Sequence, residues 1–279
     1  MQRWTTIIDA KNKGSFVQHF KEIAPSRDII AALVRKDIVA SFKQTYLGWG
    51  WIFLNPIVHT LVFSLVLGHF AGVKTDGIPH ILFYLSGIIF WNFFANSFIS
   101  ISNIFIANMH LINRVHIPKM VLPISALISA LLKFIVVCLV ISPVFMYYGF
   151  YANIVPNYWL YTFPVLVLIL AIFSIGAGMI FSSLMAKRRD LGMLLPFLIS
   201  MFMFVSPVLY PASSVPKNLQ PYYSLNPLTG ILECFRFGLS GNGTFKPYML
   251  LFSFCIALLV LLIGICLFVK TISKTNDYL

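Results

Sequence analysis

Apolar residues fill long uncharged stretches of this chain, and short charged segments separate them. These stretches are residues 47–73, 77–113, 134–186, 191–216 and 247–269. A helix needs about 20 mostly apolar residues to cross the roughly 30 Å hydrocarbon core of a bilayer. The pattern therefore predicts an all-α polytopic membrane protein.

Two of these stretches are too long for one straight helix. Part of 77–113 is expected to lie along the membrane surface or to re-enter it. Residues 134–186 must fold back on themselves, and an aromatic, turn-rich sequence at 147–157 supplies the hairpin. The sequence thus predicts six membrane-spanning helices, near residues 49–69, 80–106, 124–148, 158–184, 191–210 and 247–269.

Composition agrees with a membrane protein. Of the 279 residues, 59% are hydrophobic and 10% are charged, whereas a soluble domain has about 25% charged residues. The formal charge of +12 would prompt a test for nucleic-acid binding in a soluble protein. Here it marks one side of a bilayer, and no nucleic-acid partner is expected.

The basic residues predict the orientation of the chain. With both termini inside, fifteen Lys and Arg residues lie in inner segments and four in outer segments, and Lys133 is left over. Cytoplasmic loops carry the excess of Lys and Arg, so both termini are predicted to be cytoplasmic. We expect one domain over 1–279, divided into a cytoplasmic segment (1–48), a membrane domain (49–269) and a cytoplasmic tail (270–279).

The segment before the first span predicts an amphipathic helix over Arg27–Tyr46. Its apolar residues recur every four positions, as at Ile30 and Val34, and Arg35 and Lys36 lie mostly opposite. Such a helix lies in the membrane interface and attracts anionic lipid. Two roles remain open: a basic flank that only sets the topology, or an interface helix that also holds a cytoplasmic partner.

Two further segments lie outside the spans. The inner loop 108–119 contains His110 and His116 without an accompanying Asp, Glu or Cys, so no metal site is expected there. It is either a plain topological loop or a rigid docking loop.

In the outer segment 211–246, Glu233 and Arg236 are three apart and can pair on one helix face. Short re-entrant helices or an ordinary surface helix would both fit.

The sequence contains no motif for an energy source of its own or for an active site. It contains no GxxxxGK[ST] motif for a nucleotide triphosphate, and the six predicted spans contain no carboxylate of the kind that ion-coupled transporters use. Lys133 has two possible positions. If its helix begins at Val121, Lys133 lies about 18 Å along it and faces a polar cavity; if the span begins at Phe134, Lys133 is an inner flank. The second position is slightly favoured.

Deep aromatic residues have two interpretations. Phe90, Trp91 and Phe94 fall within the second predicted span, where they can line a path for a glycan or pack against lipid. Packing is the commoner explanation for aromatic residues in a membrane helix.

An ordered set of segments carries a family resemblance. The basic helix leading into Tyr46–Pro56, the loop Ile112–Lys119 with Leu122 and Pro123, and the later segments Ser206–Tyr210 and Tyr223–Leu228 with Phe235 and Arg236 together resemble ABC-2 type permeases over most of 26–240. The most similar branch is the polysaccharide and polyol-phosphate exporters, which move O-antigen, capsule or teichoic acid.

The resemblance implies a non-catalytic permease of the bacterial cytoplasmic membrane. It implies a homodimer with two separate ATPase subunits, which bind ATP and magnesium, and outward movement of a lipid-linked glycan. No cofactor is expected on this chain. The alternatives are an ABC-2 permease for a drug or lipid and an integral membrane glycosyl- or acyltransferase.

The resemblance also assigns candidate residues to three roles. Contact with the ATPase subunits falls to Arg35, Lys36, Asn108, Leu111, Ile112, Arg114, Ile117, Pro118 and Lys119. The outer gate falls to Tyr222, Tyr223, Glu233 and Arg236. The translocation path falls to Trp49, Phe53, Phe90, Trp91 and Phe94.

Overall fold

The computed structural model describes residues 23–43, 46, 48–108, 118–151, 156–188 and 190–276. Over these residues the regular secondary structure is helical, as the apolar stretches predict. The longer helices are α1 (Arg27–Phe42), α2 (Gly50–Phe63), α3 (His80–Ser102), α4 (Val121–Tyr151), α5 (Phe163–Lys187), α6 (Leu191–Val205), α7 (Pro227–Ser240) and α8 (Pro247–Asn276). A π-helical turn over Ser64–Phe70 extends α2, and a 3₁₀ turn over Tyr158–Thr162 leads into α5.

Five helical segments among the described residues are long and apolar enough to cross a membrane, whereas the sequence predicts six. They are Gly50–Phe70, His80–Ser102, Val121–Tyr151, Tyr158–Lys187 and Pro247–Ile272. The predicted span near 191–210 is instead the 15-residue helix α6, which is about 22 Å long. It ends because Ser206 precedes Pro207 and adopts an extended conformation with ψ 154°, as a following proline favours.

Helix α3 lies in the centre of the fold and packs against α2, α4 and α5. Helices α5 and α8 make a second close pair because glycines face each other. A Cβ added to Gly176 would lie 2.6 Å from the Leu261 Cα, and one added to Gly264 would lie 2.4 Å from the Gly176 carbonyl oxygen. Small residues let membrane helices approach closely, and these two positions admit only glycine at this separation.

The amphipathic helix α1 is present, and it ends at Phe42 instead of the predicted Tyr46 because Lys43 is extended. Val34 is buried, and Arg35 and Lys36 are exposed, as the pattern predicts. Its closest partner in the fold is α4. Helix α1 therefore lies against the membrane bundle along its apolar face.

Helix α7 lies in the outer segment 211–246, where the sequence allows either short re-entrant helices or an ordinary surface helix. The Asn226 side chain caps its start by accepting a hydrogen bond from the Leu228 N–H at 3.0 Å, and Gly241 ends it with a φ of 70°. Nearly all of its residues are buried, and it packs against α8, α5 and α3. Burial on several sides excludes an ordinary surface helix.

Candidate functional site

The candidate ATPase-contact residues lie at one end of the bundle where they are described. Arg35 and Lys36 are exposed on α1, and Pro118 and Lys119 directly precede α4. Burial lowers the pKa of the Lys119 ammonium. Among the candidates, four fall outside the described residues: Leu111, Ile112, Arg114 and Ile117.

Helix α1 lies next to both ends of the 108–119 loop. A cavity of about 220 Å³ is lined by Lys36, Asn108 and Leu122 together. The Asn108 amide donates a 3.1 Å hydrogen bond to the Ile104 carbonyl oxygen and ends the helical turn there. The two segments assigned to partner contact are therefore neighbours in space.

Arg236 is a buried charged residue of the candidate outer gate. Its Nη1 donates to the Pro207 carbonyl oxygen at 2.5 Å, and its Nη2 donates to the carbonyl oxygens of Phe83 at 3.1 Å and Val208 at 3.2 Å. A further contact of 3.4 Å joins its Nε to the Ser86 hydroxyl. Burial lowers the pKa of Arg236 to about 10, so it stays charged at neutral pH. The guanidinium thus ties α7 to α3 and to the loop after α6.

Glu233 is buried on the same helix but has different partners. Its Oε1 accepts a 3.1 Å hydrogen bond from the Ala212 N–H, and its Oε2 accepts one of 3.4 Å from the Thr244 hydroxyl. Burial raises the pKa of this carboxyl, although Arg236 acts in the opposite direction. The direct Glu233–Arg236 pair that the spacing allows is not among the contacts of the described residues. Both side chains instead hold the loop after α6 against α7, Arg236 at Pro207 and Val208 and Glu233 at Ala212.

The two tyrosines of the candidate gate differ in exposure. Tyr222 is exposed, whereas the Tyr223 ring stacks on Tyr210 with centroids 6.0 Å apart. Tyr223 also lines a cavity of about 450 Å³ that includes Lys217, Lys246 and Tyr248. An open cavity with two ammonium groups and aromatic walls can hold an anionic or sugar-like group.

The candidate path residues separate into two groups. Phe90, Trp91 and Phe94 are at most 5% exposed and lie in the central core of the chain. Phe90, for example, contacts the Phe235 ring at 5.0 Å between centroids. Trp49 is half exposed and Phe53 is partly exposed at the start of α2. Only these two present a surface that a passing molecule can touch in this conformation.

A polar cavity surrounds Lys133, and the position of this residue is the less favoured of the two that the sequence allows. Helix α4 begins at Val121, so Lys133 lies within the helix and not at its flank, which the sequence slightly favours. Its ammonium donates a 2.7 Å hydrogen bond to the Ser41 hydroxyl of α1. Asn92 and Asn96 of α3 line the same cavity of about 260 Å³. Their spacing of four residues is the sequence signal that locates this polar face.

Comparison with known proteins assigns the family. Residues 29–240 match the model of the ABC-2 type transporter family, and the chain belongs to this family. The match confirms the resemblance and places the chain among the membrane-spanning permease subunits, which are not themselves catalytic. It is a multi-pass membrane protein.

Curated relatives cover most of the chain. An O-antigen export system permease protein RfbA of Myxococcus xanthus is 27% identical over 77% of this chain and 82% of its own. A polysialic acid transport protein KpsM of Escherichia coli is 29% identical over 86% and 92%. A capsule polysaccharide export inner-membrane protein CtrC of Neisseria meningitidis serogroup B is 23% identical over 84% and 86%.

Proposed function

We propose that this chain is the permease subunit of an ATP-driven exporter that moves a lipid-linked polysaccharide outward across the bacterial cytoplasmic membrane. The observation that carries the proposal is the similarity, over most of both chains, to relatives named for the export of O-antigen and capsule polysaccharide and for the transport of polysialic acid. The family match over residues 29–240 supports the same class of transporter.

The energy comes from a separate subunit that binds ATP and magnesium. The chain contains no GxxxxGK[ST] motif, which agrees with a permease that uses another protein's nucleotide site. We place the contact with that subunit on the exposed basic face of α1 and on both ends of the 108–119 loop. The shared cavity of Lys36, Asn108 and Leu122 supports this placement because it joins the two segments into one surface.

Two copies of this chain form the membrane part of the exporter, and both termini of each copy are cytoplasmic. The distribution of fifteen basic residues against four supports this orientation. Helix α2 and the π-helical turn that extends it support the dimer, because they expose most of their large apolar side chains outside the bundle, including Leu54, Leu61 and Leu65. Both lipid and a second copy can cover such a face.

The path for the polymer runs beside α2 and leaves at the segment around α7. Trp49 and Phe53 supply exposed aromatic surface at the start of that helix, and sugar rings stack well on aromatic faces. At the other end, Tyr222, Tyr223, Glu233 and Arg236 form a closed cover that must shift for export. The buried hydrogen bonds of Glu233 and Arg236 hold that cover in place.

The test uses inverted membrane vesicles that contain the permease together with its ATPase subunit. A radiolabelled lipid-linked glycan is added outside, and the label that becomes protected in the lumen is measured with and without ATP. We expect ATP-dependent protection that disappears when the ATPase carries an inactivating substitution. Transport of a drug or a simple lipid without glycan would instead favour the other ABC-2 alternative. Glycan movement by the permease alone would contradict the proposal.

A further inference from the structure

Two helices of the bundle face each other with polar stripes at a spacing of four residues. On α3 the stripe consists of Asn92, Asn96 and Ser100, and on α4 it consists of Ser125, Ser129 and Lys133. Residues four apart lie on the same face of a helix. The stripes line two cavities that share Asp37, Ser100 and Ala126, so the cavities adjoin each other, and together they are called the groove.

Helix α1 covers this groove. Asp37 and Ser41 project from α1 into it, and the Lys133 ammonium bonds to the Ser41 hydroxyl at 2.7 Å. The groove extends from Lys36 and Asn108 at one end, where the candidate ATPase-contact surface lies, to Asn55 at the other. Lys133 is about 18 Å from the start of α4 at 1.5 Å per residue. The groove therefore reaches from the end of the bundle into its apolar middle.

Several polar groups in the groove have no partner within the described residues. The Ser129 hydroxyl is fully buried without a hydrogen bond, and no hydrogen bond of the Asn92 or Asn96 side chain occurs among the described residues. An unpaired buried polar group is destabilising, which applies to Ser129, whereas Asn92 is half-buried and Asn96 is exposed to the groove. Polar groups are costly in a membrane and usually mark a pathway or a binding site, so this cluster indicates a ligand with several acceptor oxygens.

The charges in the groove favour an anion. Lys133 and Lys36 line it with a single carboxylate, Asp37. The ammonium of Lys133 has three hydrogens, and one of them is used by Ser41. The amides of Asn92 and Asn96 and the Ser129 hydroxyl add neutral donors. A phosphate ester matches this set of donors and has the required charge.

We propose that the groove beneath α1 binds the phosphate head group of a lipid that enters from the cytoplasmic leaflet. This assignment rests on the proposed function only for its orientation in the membrane. Helix α1 forms the cover of the groove, and Lys133 is the principal anion contact. The phosphate belongs either to a membrane phospholipid or to the carrier lipid of the glycan, since both present the same chemistry.

The experiment measures lipid binding to the full permease–ATPase complex by native mass spectrometry. The probes are phosphatidylglycerol, a polyprenyl phosphate, and diglucosyl diacylglycerol, which has no phosphate. We expect both phosphate lipids to bind at least tenfold more tightly than the glycolipid, and Lys133→Gln to remove at least tenfold of that affinity. Lys133→Arg keeps the charge and is expected to retain binding. Tighter binding of the polyprenyl phosphate would identify a cargo site, and tighter binding of phosphatidylglycerol a membrane-lipid site.

The matched control is Lys43→Gln, which removes an exposed charge just after α1 and outside the groove. It is expected to change affinity by less than twofold. Equal losses in the Lys43 and Lys133 variants, or equal binding of the glycolipid, would overturn the proposal. Asn96→Ala supplies a second groove variant if Lys133→Gln fails to assemble, and unchanged affinity in it would count against the site equally. The assay needs no transport, so its failure leaves the export proposal to its own test.

Discussion

The Arg236 guanidinium lies over the Phe83 ring, with its Cζ 3.5 Å from the ring centroid, and also donates a hydrogen bond to the carbonyl oxygen of the same residue. This double contact explains how a fully enclosed cation is accommodated. The aromatic face and three carbonyl oxygens replace the water that burial removes. Arg236 therefore joins three segments of the chain at one point: α7, α3 and the loop after α6.

Replacing Arg236 with Lys is expected to weaken this junction. A single ammonium cannot match the planar guanidinium, which donates several hydrogen bonds while it lies over the Phe83 ring. At least one carbonyl would lose its partner, so we expect the free energy of unfolding to fall by about 1–3 kcal/mol. Thermal unfolding in nanodiscs measures the change. Lys217→Arg, at an exposed position, is the control. An equal loss of stability there would contradict the role of the contacts around Arg236.

Glu233 is expected to act as a hydrogen-bond acceptor and less as a charge. Burial raises the pKa of this carboxyl, and its oxygen binds the Ala212 N–H. Glu233→Gln keeps an acceptor oxygen and is expected to retain a closed outer end, whereas Glu233→Ala leaves the amide unpaired and is expected to raise leak. Efflux of a small fluorescent solute from proteoliposomes measures both. Equal leak in wild-type protein and the alanine variant would remove Glu233 from the gate.

The sequence predicts much of this fold because long apolar helices report directly on burial in lipid. Helices α3, α5 and α8 lie close to the predicted spans. The helix in place of the predicted span near 191–210 is shorter than predicted because apolar composition does not reveal where a helix stops, and Ser206 with Pro207 ends α6 early. The extension of α4 back to Val121 was one of two alternatives, since apolar residues continue on both sides of Lys133.

The candidate site is less predictable because its contacts join distant parts of the chain. The spacing of Glu233 and Arg236 suggested a pair, but the arginine finds carbonyl groups from 83 and 207–208, which no local pattern reveals. The sequence alone cannot distinguish whether Phe90 and Phe94 line a path or pack inside the protein. The assembled bundle shows that they lie in its core. Both polar stripes, with Asn92 and Asn96 on α3 and Ser129 and Lys133 on α4, are visible in the sequence, but that they face each other is a contact between distant parts of the chain.

Gly176→Ala is expected to disrupt the pair formed by α5 and α8. The new Cβ would lie 2.6 Å from the Leu261 Cα, which is backbone and cannot move alone, and overpacking typically costs about 1–3 kcal/mol. Gly192→Ala is the matched control, since its added Cβ meets only the flexible end of Met185 at 3.1 Å. We expect a lower unfolding temperature for the first variant and little change for the second. A stable Gly176→Ala protein would show that the two helices separate readily.

Charge reversal at Lys119 is expected to uncouple transport from ATP hydrolysis while the permease remains inserted. Lys119 precedes α4 beside the loop assigned to partner contact, and burial already lowers the pKa of its ammonium. A carboxylate there would face the same partly desolvated surroundings and would disturb the fit of an ATPase subunit. The measurements are copurification of that subunit, the ATPase rate of the complex and glycan export, each compared with Lys74→Glu, an exposed position between α2 and α3. Export at the wild-type rate in Lys119→Glu, with the partner still bound, would remove this residue from the coupling surface. A matching loss in Lys74→Glu would point instead to a general effect of added negative charge.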